Sequence, residues 1–241
     1  MSVSILGLPI QNVTMSEAVN DVYGFFAARE SKIVVTPNAE ILQMYTNDPA
    51  MKEALGRADY IVPDGIGILM AAKRLGTPLK EKVAGVELSR NLLEKAAKEG
   101  GNVYLLGAKP GIAAEAKRCL EEEIPGISIV GARDGYFKPE DEPAIVEEIN
   151  GLDVDMLFVC LGAPKQERWM ADHQGKIQGF MVGVGAAFDY LAGNIRRAPQ
   201  WMQQSNLEWF YRLVKEPWRF KRMLRLPKFL WAVVCRRITG R

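Results

Sequence analysis

Side chains that could perform acid–base chemistry stand directly after short apolar runs, and Asp64 is the foremost of them. It lies between Pro63 and Gly65, immediately past such a run. A carboxylate with an ordinary pKa of about 3.9 is ionised at neutral pH and can accept a proton from a hydroxyl group within hydrogen-bond reach. Forming the turn or capping the next helix would explain the same residue equally well. The spacing alone leaves both interpretations open.

Neutral polar side chains follow other apolar runs in the same way. Thr36 and Asn38 come after one run, and Gln166 lies in the segment 162–167 after another. All three can donate and accept hydrogen bonds, so they are candidates for contacts with a polar substrate. The alternatives are an N-cap for the next helix at Thr36 or Asn38, and simple exposure to solvent at Gln166.

A glycine-containing turn, Gly107-Ala108-Lys109-Pro110-Gly111, separates an apolar run from a helical pattern. Free backbone N–H groups and the positive end of a helix dipole bind phosphate, which makes Gly107 a candidate for a phosphate contact. The alternative is a tight turn that requires small residues. Because the full G-x-G-x-x-G spacing is missing, the turn does not predict a dinucleotide cofactor, but a nucleotide phosphate remains open.

Residues suited to metal binding or nucleophilic catalysis are few. The Asp153-Val154-Asp155 segment resembles the D-x-D that holds a divalent cation, but it precedes an apolar run, and we expect a solvated turn there. His173 is the only histidine, which excludes a two-histidine metal site and argues against a Ser-His-Asp mechanism. We expect it on the surface at a helix end. The cysteines have neither metal nor disulfide spacing, so they add no metal ligands. We predict neither a metal nor a cofactor.

The elements that must position these residues alternate between strand and helix patterns. Hydrophobic residues make up 48% of the 241 residues and charged ones 25%, which indicates a folded globular protein. The alternation predicts an α/β fold, a Rossmann-like and mostly parallel sheet with helices on both faces. Strands are predicted over 33–35, 60–62, 103–106, 128–130, 156–161 and 180–184. Helices are predicted over roughly 15–29, 38–47, 66–74, 87–99, 111–123, 140–150 and 164–172.

A parallel sheet would bring the loops that follow its strands to one edge, where open α/β sheets bind ligands. Asp64, Thr36 and Asn38 belong to these loops. So do Gly185, in Gly-Val-Gly, and Asp189, four residues further along. If the sheet is parallel, we therefore predict that these loops share one rim.

The charge distribution divides the chain after Ile195. Residues 1–195 contain 19 Lys and Arg against 27 Asp and Glu, whereas residues 196–241 contain 12 against two. The second segment also holds four of the five tryptophans. We predict a catalytic α/β domain over 1–195 and a basic, aromatic-rich helical appendage over 196–241, called the tail below.

The tail combines cations with large apolar side chains. Arg212, Lys215, Arg219 and Arg222 fall within an arc of about 80° if the segment is helical, although Pro217 interrupts that helix. Such a mixture is typical of a segment in a membrane interface, and arginine suits phosphate oxygens. The alternative is an amphipathic helix pair that packs on the core or on another subunit. No run reaches the roughly 18 apolar residues of a membrane-spanning helix.

Two other classes of protein share some of these features. A nucleic-acid-binding protein also has basic and aromatic surfaces, but the acidic 1–195 segment argues against an extended binding groove. An NAD-dependent nucleotide-sugar epimerase or dehydrogenase has the same fold class. It would require a dinucleotide site, and the glycine turn does not provide its full pattern.

Seven short motifs are spread along nearly the whole chain: Thr-Pro-Asn-Ala-Glu (36–40), Pro-Asp-Gly (63–65), Val-Ala-Gly (83–85), Gly-Ala-Pro-Lys-Gln-Glu (162–167), Gly-Val-Gly-Ala-Ala-Phe-Asp (183–189), Arg-Ala-Pro (197–199) and Leu-Glu-Trp-Phe-Tyr-Arg-Leu (207–213). In this order they resemble the WecG/TagA/CpsF glycosyltransferase family. The resemblance implies inverting transfer of N-acetylmannosamine from UDP to the 4-hydroxyl of N-acetylglucosamine on undecaprenyl diphosphate, in the synthesis of the wall teichoic acid linkage unit.

The resemblance also implies roles for individual residues. Asp64 would be the base, Thr36 and Asn38 would contact the substrate, Gln166 would place the sugar or leaving group, and Asp189 would approach the nucleotide. Lys82 stands where the family commonly has arginine. Lysine keeps the positive charge but lacks the planar guanidinium that can bind two phosphate oxygens at once.

The implied reaction needs positively charged groups near the diphosphate that departs with UDP, and we expect the tail to supply them. The tail is also expected to bind the diphosphate of the lipid acceptor. Arg212, Arg219 and Arg222 are the candidates for the lipid diphosphate. We expect the protein in the cytoplasm, peripheral on the inner face of the plasma membrane, without a nucleic-acid partner and as a possible homo-oligomer. A chain ending near Ile195 would then keep its fold and some UDP affinity but lose turnover.

Overall fold

A computed structural model describes residues 1–28, 30–195, 197–205, 207–215, 229–231 and 233, without the side chains of Gln204 and Arg212. Its strands are β1 (Ser2–Ile5), β2 (Leu8–Gln11), β3 (Ile33–Val35), β4 (Tyr60–Ile61), β5 (Asn102–Gly107), β6 (Ser128–Arg133), β7 (Met156–Cys160) and β8 (Phe180–Gly183). Its helices are α1 (Met15–Ala28), α2 (Ala39–Asn47), α3 (Pro49–Gly56), α4 (Ile66–Leu75), α5 (Gly85–Glu99), α6 (Ile112–Glu123), α7 (Glu142–Gly151), α8 (Lys165–His173), α9 (Ala187–Leu191), α10 (Gln200–Gln204) and α11 (Glu208–Lys215).

Six strands form one parallel sheet in the order β4-β3-β8-β7-β5-β6, which confirms the predicted α/β class. All six predicted strands are present, with ends that differ from the prediction by three residues or fewer. The strands follow the prediction closely because each is a short run of apolar residues, as expected when helices cover both faces of a sheet.

Alternate residues of each strand enter two separate hydrophobic clusters, one on each face of the sheet. In β7, Phe158 packs in the first cluster, with α1, α5, α6 and α9, whereas Leu157 packs in the second, with α2, α3, α4, α7 and α8. Both side chains are fully buried. The sheet is therefore covered by helices on both sides, and its strand ends are the part left open to ligands.

The first eleven residues form an antiparallel hairpin, β1–β2, that the sequence analysis did not predict. Its turn residues Leu6 and Gly7 both have positive φ angles, 53° and 92°. That conformation matches the twist of a two-residue hairpin, although leucine is an uncommon residue for it. Alternate hairpin residues, Ile5 and Ile10 among them, are buried in the second cluster.

The described part of the tail packs against the same hydrophobic core. Phe229 and Val233 are fully buried and pack in the second cluster. The division after Ile195 stays a prediction. The packing of these two side chains counts against the expectation that residues 1–195 keep their fold when the tail is removed.

We expect Phe229→Ala to destabilise the protein by about 3–5 kcal/mol, because truncating a buried phenylalanine loses its transfer free energy and leaves a cavity. Urea denaturation followed by circular dichroism measures this change. Trp231→Ala is the matched control, since Trp231 is 68% exposed and we expect its effect to stay within about 0.5 kcal/mol. Equal effects of the two substitutions would contradict the packing of the tail on the core.

Candidate active site

Two cavities open at the carboxyl edge of the sheet, and Asn38 lines both of them. The first, called the Asp64 cavity, has a volume of about 210 Å³ and includes Lys82, Arg197 and Glu208 in its wall. The second, called the Asp189 cavity, has a volume of about 500 Å³ and is lined by the loops after β5, β7 and β8. The loops predicted to share one edge of the sheet do so.

Backbone hydrogen bonds hold the main chain around Asp64 at the first cavity. The N–H of Val83 donates to Pro63 O at 2.9 Å, and the N–H of Asp64 donates to Pro37 O at 3.3 Å. Gly65, with a φ angle of 84°, takes the N-cap position of α4. Asp64 is therefore not the cap residue of this helix, and its half-buried side chain lines the cavity.

A cluster of opposite charges forms part of the wall of the Asp64 cavity. Lys82 Nζ lies 4.0 Å from Glu208 Oε2, and Arg197 Nη2 lies 3.4 Å from the same oxygen. Arg197 Nη1 also lies 3.1 Å from Glu87 Oε1. The side chains of Lys82, Arg197 and Glu208 are only 15–22% exposed. Water therefore screens these charges less than it would at the surface.

Thr36 and Asn38 have different local roles. The hydroxyl of Thr36 is buried and donates to Gly183 O at 2.9 Å, which links the ends of β3 and β8. Asn38 is the N-cap of α2, because its Oδ1 accepts from the N–H groups of Glu40 and Ile41 at 2.9 and 3.1 Å. The capping alternative thus holds for Asn38 and not for Thr36. Asn38 is exposed and remains available to a ligand at the junction of the two cavities.

Gln166 positions the loop that forms one wall of the Asp189 cavity. It is only 2% exposed, so the alternative that it faces solvent is wrong. Its Oε1 accepts from the N–H of Gly185 at 2.9 Å, while its Nε2 donates to Glu167 Oε1 at 3.1 Å. Cys160 Sγ donates to the carbonyl of Gly185. Gly185 is thus held through both its N–H and its carbonyl group. Direct contact of Gln166 with a sugar stays a prediction.

Burial shifts the pKa of two groups beside this loop. It raises the pKa of the Cys160 thiol to about 12, so this thiol is protonated at neutral pH. It also raises the pKa of Glu167, whose Oε2 has no hydrogen-bond partner. Neither group has the properties of a reactive nucleophile.

The glycine turn after β5 leaves less room for a phosphate than its sequence suggested. Gly107 has a φ angle of 131°, and a Cβ there would clash with the carbonyl of Cys160. The N–H of Ala108 already donates to that carbonyl at 2.8 Å. Ala108 and Lys109, rather than Gly107, line the Asp189 cavity. The turn needs its glycine for close packing, and a substrate contact at Gly107 stays a prediction.

The Asp153-Val154-Asp155 segment lies at the opposite end of the sheet, as predicted. It precedes β7, and Asp155 Oδ2 accepts from the N–H of Asn102 at 2.8 Å. The described residues contain no group of three or more histidine, cysteine, aspartate or glutamate side chains that could hold a metal ion.

The prediction for His173 is only half right. It ends α8 as expected, but it is 6% exposed rather than on the surface. Its ring stacks on Trp169, with ring centroids 4.3 Å apart, and its Nδ1 lies 2.8 Å from Trp169 O. The i, i+4 spacing of Trp169 and His173 places both rings on one helix face, but it does not by itself indicate that this face is buried.

Three arginines of the tail are predicted to bind the lipid diphosphate. Arg219 and Arg222 lie outside the described residues, as does the side chain of Arg212, whose backbone belongs to α11. Trp209 and Phe210 in α11 are 42% and 47% exposed. Within the described part of the chain, no helix has both the length and the apolar character needed to cross a bilayer.

The sequence analysis missed two charged residues of the Asp64 cavity, Arg197 and Glu208. Both lie in motifs that carried the family resemblance, Arg-Ala-Pro and Leu-Glu-Trp, but neither was given a role. Tyr136 in the Asp189 cavity was missed as well, and at 71% exposure it is the most exposed aromatic ring described at the site.

The fold and the two cavities define an α/β enzyme whose ligands approach the carboxyl ends of parallel strands. The chain belongs to the glycosyl transferase WecG/TagA/CpsF family, whose sequence profile matches residues 3–241. The family assignment supports neither an NAD-dependent enzyme nor a nucleic-acid-binding protein.

Curated relatives share much of this length. The N-acetylglucosaminyldiphosphoundecaprenol N-acetyl-beta-D-mannosaminyltransferase of Bacillus spizizenii is 39% identical over 202 residues, which cover 83% of this chain and 78% of the relative. The protein of the same name from Staphylococcus aureus strain MW2 is 35% identical over 234 residues, covering 96% and 91%.

Proposed function

We propose that this protein transfers N-acetylmannosamine from UDP-N-acetylmannosamine to the 4-hydroxyl of N-acetylglucosamine on undecaprenyl diphosphate, in the synthesis of the wall teichoic acid linkage unit. The observation that carries the proposal is the placement of Asp64 beside Lys82 and Arg197, in a cavity at the carboxyl edge of the sheet, in a member of this glycosyltransferase family. The names of its relatives supply the sugars and the lipid carrier.

The two cavities suit the two substrates. The Asp189 cavity is the larger, at about 500 Å³, and offers an exposed aromatic ring, Tyr136, and a carboxylate, Asp189, for a nucleoside. A ring can stack on a base, and a carboxylate can accept from ribose hydroxyls. The Asp64 cavity would receive the acceptor sugar. Asn38 lies in the wall of both, where the transferred sugar must sit.

The reaction is then a single displacement that inverts the anomeric carbon. Asp64 accepts the proton of the acceptor 4-hydroxyl while that oxygen forms a bond to C1 of the donor sugar. The bond from C1 to the β-phosphate oxygen breaks, and its electron pair leaves with UDP. Lys82 neutralises charge that builds on the departing diphosphate, in a site partly shielded from water. Thr36 and Gln166 hold the strand ends and the Gly185 loop in place.

The acceptor is a lipid, and the tail is the part of the chain suited to meet a membrane surface. Its described residues expose Trp201, Trp209, Phe210 and Val214 at 42–62%. Rings and aliphatic side chains next to cations favour the headgroup region of anionic bilayers. We place the protein at the inner face of the plasma membrane, with Arg212, Arg219 and Arg222 toward the lipid diphosphate.

Assay with purified substrates tests the proposal. The full chain, UDP-N-acetylmannosamine and a short-chain prenyl-diphosphate N-acetylglucosamine should yield one disaccharide lipid and one UDP per turnover. UDP-N-acetylglucosamine and UDP-glucose are the matched donors, and we expect at least about 10²-fold lower kcat/KM with them if the site hydrogen-bonds the sugar specifically. Faster transfer from another donor would reassign the sugar, and no transfer to the lipid acceptor from any UDP-sugar would contradict the proposed reaction.

A further inference from the structure

We propose that Lys82 and Arg197 form a two-cation site for a diphosphate, and that Glu208 occupies this site as an internal anion until the ligand displaces it. The inference rests on the proposed function and adds to it a second cation, Arg197, and a competitor carboxylate supplied by the tail. The chemical class of the ligand is a diphosphate ester, either UDP or the lipid diphosphate.

The geometry of the three side chains carries the proposal. Both cations approach one oxygen, Oε2 of Glu208, at 4.0 Å from Lys82 Nζ and 3.4 Å from Arg197 Nη2. Close charge-assisted hydrogen bonds have lengths of about 2.7–2.9 Å. Glu208 therefore bridges the two cations loosely, at distances that leave both of them able to move closer to a better acceptor.

Arg197 has hydrogen-bonding capacity that the described residues do not use. Its Nη1 lies 3.1 Å from Glu87 Oε1, but its buried Nε has no acceptor among the described residues. A guanidinium presents five N–H donors in a planar fork that matches phosphate oxygens. Arg197 therefore provides, in the same cavity wall, the planar set of N–H donors that Lys82 lacks.

A diphosphate fits the pair better than a carboxylate does. Glu208 brings one negative charge, whereas a diphosphate brings more charge and several oxygens, so it can bond both cations at once. The exchange also keeps the partly buried cations neutralised. Removing an anion from them without replacement would leave uncompensated charge in a poorly solvated place.

Displacement of Glu208 has a consequence for the tail. Glu208 is the first residue of α11, and the next residue, Trp209, also lines the Asp64 cavity. A ligand that takes the place of the carboxylate must release the start of this helix from the cation pair. Binding of diphosphate and docking of α11 are then competing events, and by linkage each weakens the other.

Isothermal titration of Glu208→Gln tests the competition. The substitution keeps the size of the side chain and removes its charge, so we expect about five- to tenfold tighter binding at low salt for the diphosphate that uses this site. UDP and a prenyl-diphosphate N-acetylglucosamine are titrated separately, and the one whose affinity rises is the ligand. Glu122→Gln is the matched control, because Glu122 pairs with Arg118 on the exposed face of α6, and we expect no change there.

Unchanged or weaker binding of both ligands to a folded Glu208→Gln protein would overturn the inference. Hydrogen exchange of the wild-type chain gives a second readout that does not depend on the variant. We expect faster exchange over 208–215 when the ligand saturates the site, whereas slower or unchanged exchange would count against displacement. Either failure leaves the proposed function intact if the protein still transfers sugar and needs Asp64 to do so.

Discussion

Replacing Asp64 by asparagine is expected to lower kcat by about 10²–10⁴-fold, the usual contribution of a general base. Asparagine has the same shape, but its amide oxygen cannot hold a proton at neutral pH. The base acts on the acceptor hydroxyl and not on the nucleotide, whose nucleoside we place in the neighbouring Asp189 cavity. The Kd for UDP should therefore change little. Steady-state kinetics with the lipid acceptor and titration calorimetry with UDP measure the two quantities.

The matched control for this substitution is Asp172→Asn, an exposed aspartate on α8 away from both cavities. We expect it to keep the activity of the wild-type protein. Melting temperatures of both variants separate a loss of chemistry from a loss of fold. A folded Asp64→Asn enzyme with near-normal kcat would remove Asp64 from the role of base and leave the rest of the site without a proton acceptor assigned to it.

Substituting Lys82 by alanine is expected to reduce kcat by about 10²–10³-fold, which is typical of removing one preorganised donor from developing charge. The Lys82 side chain is only 17% exposed, so in the alanine variant water is a poor substitute for the missing ammonium group. Lys82→Arg should recover most of the activity, because the family resemblance places arginine at this position and the charge is retained. Single-turnover kinetics at saturating UDP-sugar measures the chemical step directly.

Lys80→Ala is the matched control, because it also removes one positive charge from the protein. Lys80 lies two residues earlier and pairs with Glu17 on the surface, 2.8 Å away, where its side chain is 49% exposed. Surface pairs of this kind contribute about 0–1 kcal/mol to stability, and we expect wild-type kinetics. If Lys82→Ala raised KM and left kcat unchanged, Lys82 would bind the ground state and the transition state equally. Its assignment to the leaving group would then be wrong.

Much of the fold followed from local patterns. Each buried strand is a short apolar run such as 156–160, and each helix repeats its apolar residues at helical spacing. The hairpin β1–β2 was missed because its turn uses Leu6, a residue that seldom adopts a positive φ. Helix α3 was missed because it is only eight residues long and starts at a proline directly after α2.

The sequence by itself determined the α/β class, the edge of the sheet that carries the candidate site, and the position of Asp64 at that edge. These properties depend on residues close together in the chain, since strand period, loop composition and motif order are local. Only the tertiary structure decided which distant charges line the same cavity as Asp64. Lys82, Arg197 and Glu208 meet in one wall although more than 100 residues separate the first from the other two. It also decided that His173 and Phe229 are buried. Such contacts arise from the packing of whole elements, and no periodicity within a single element encodes them.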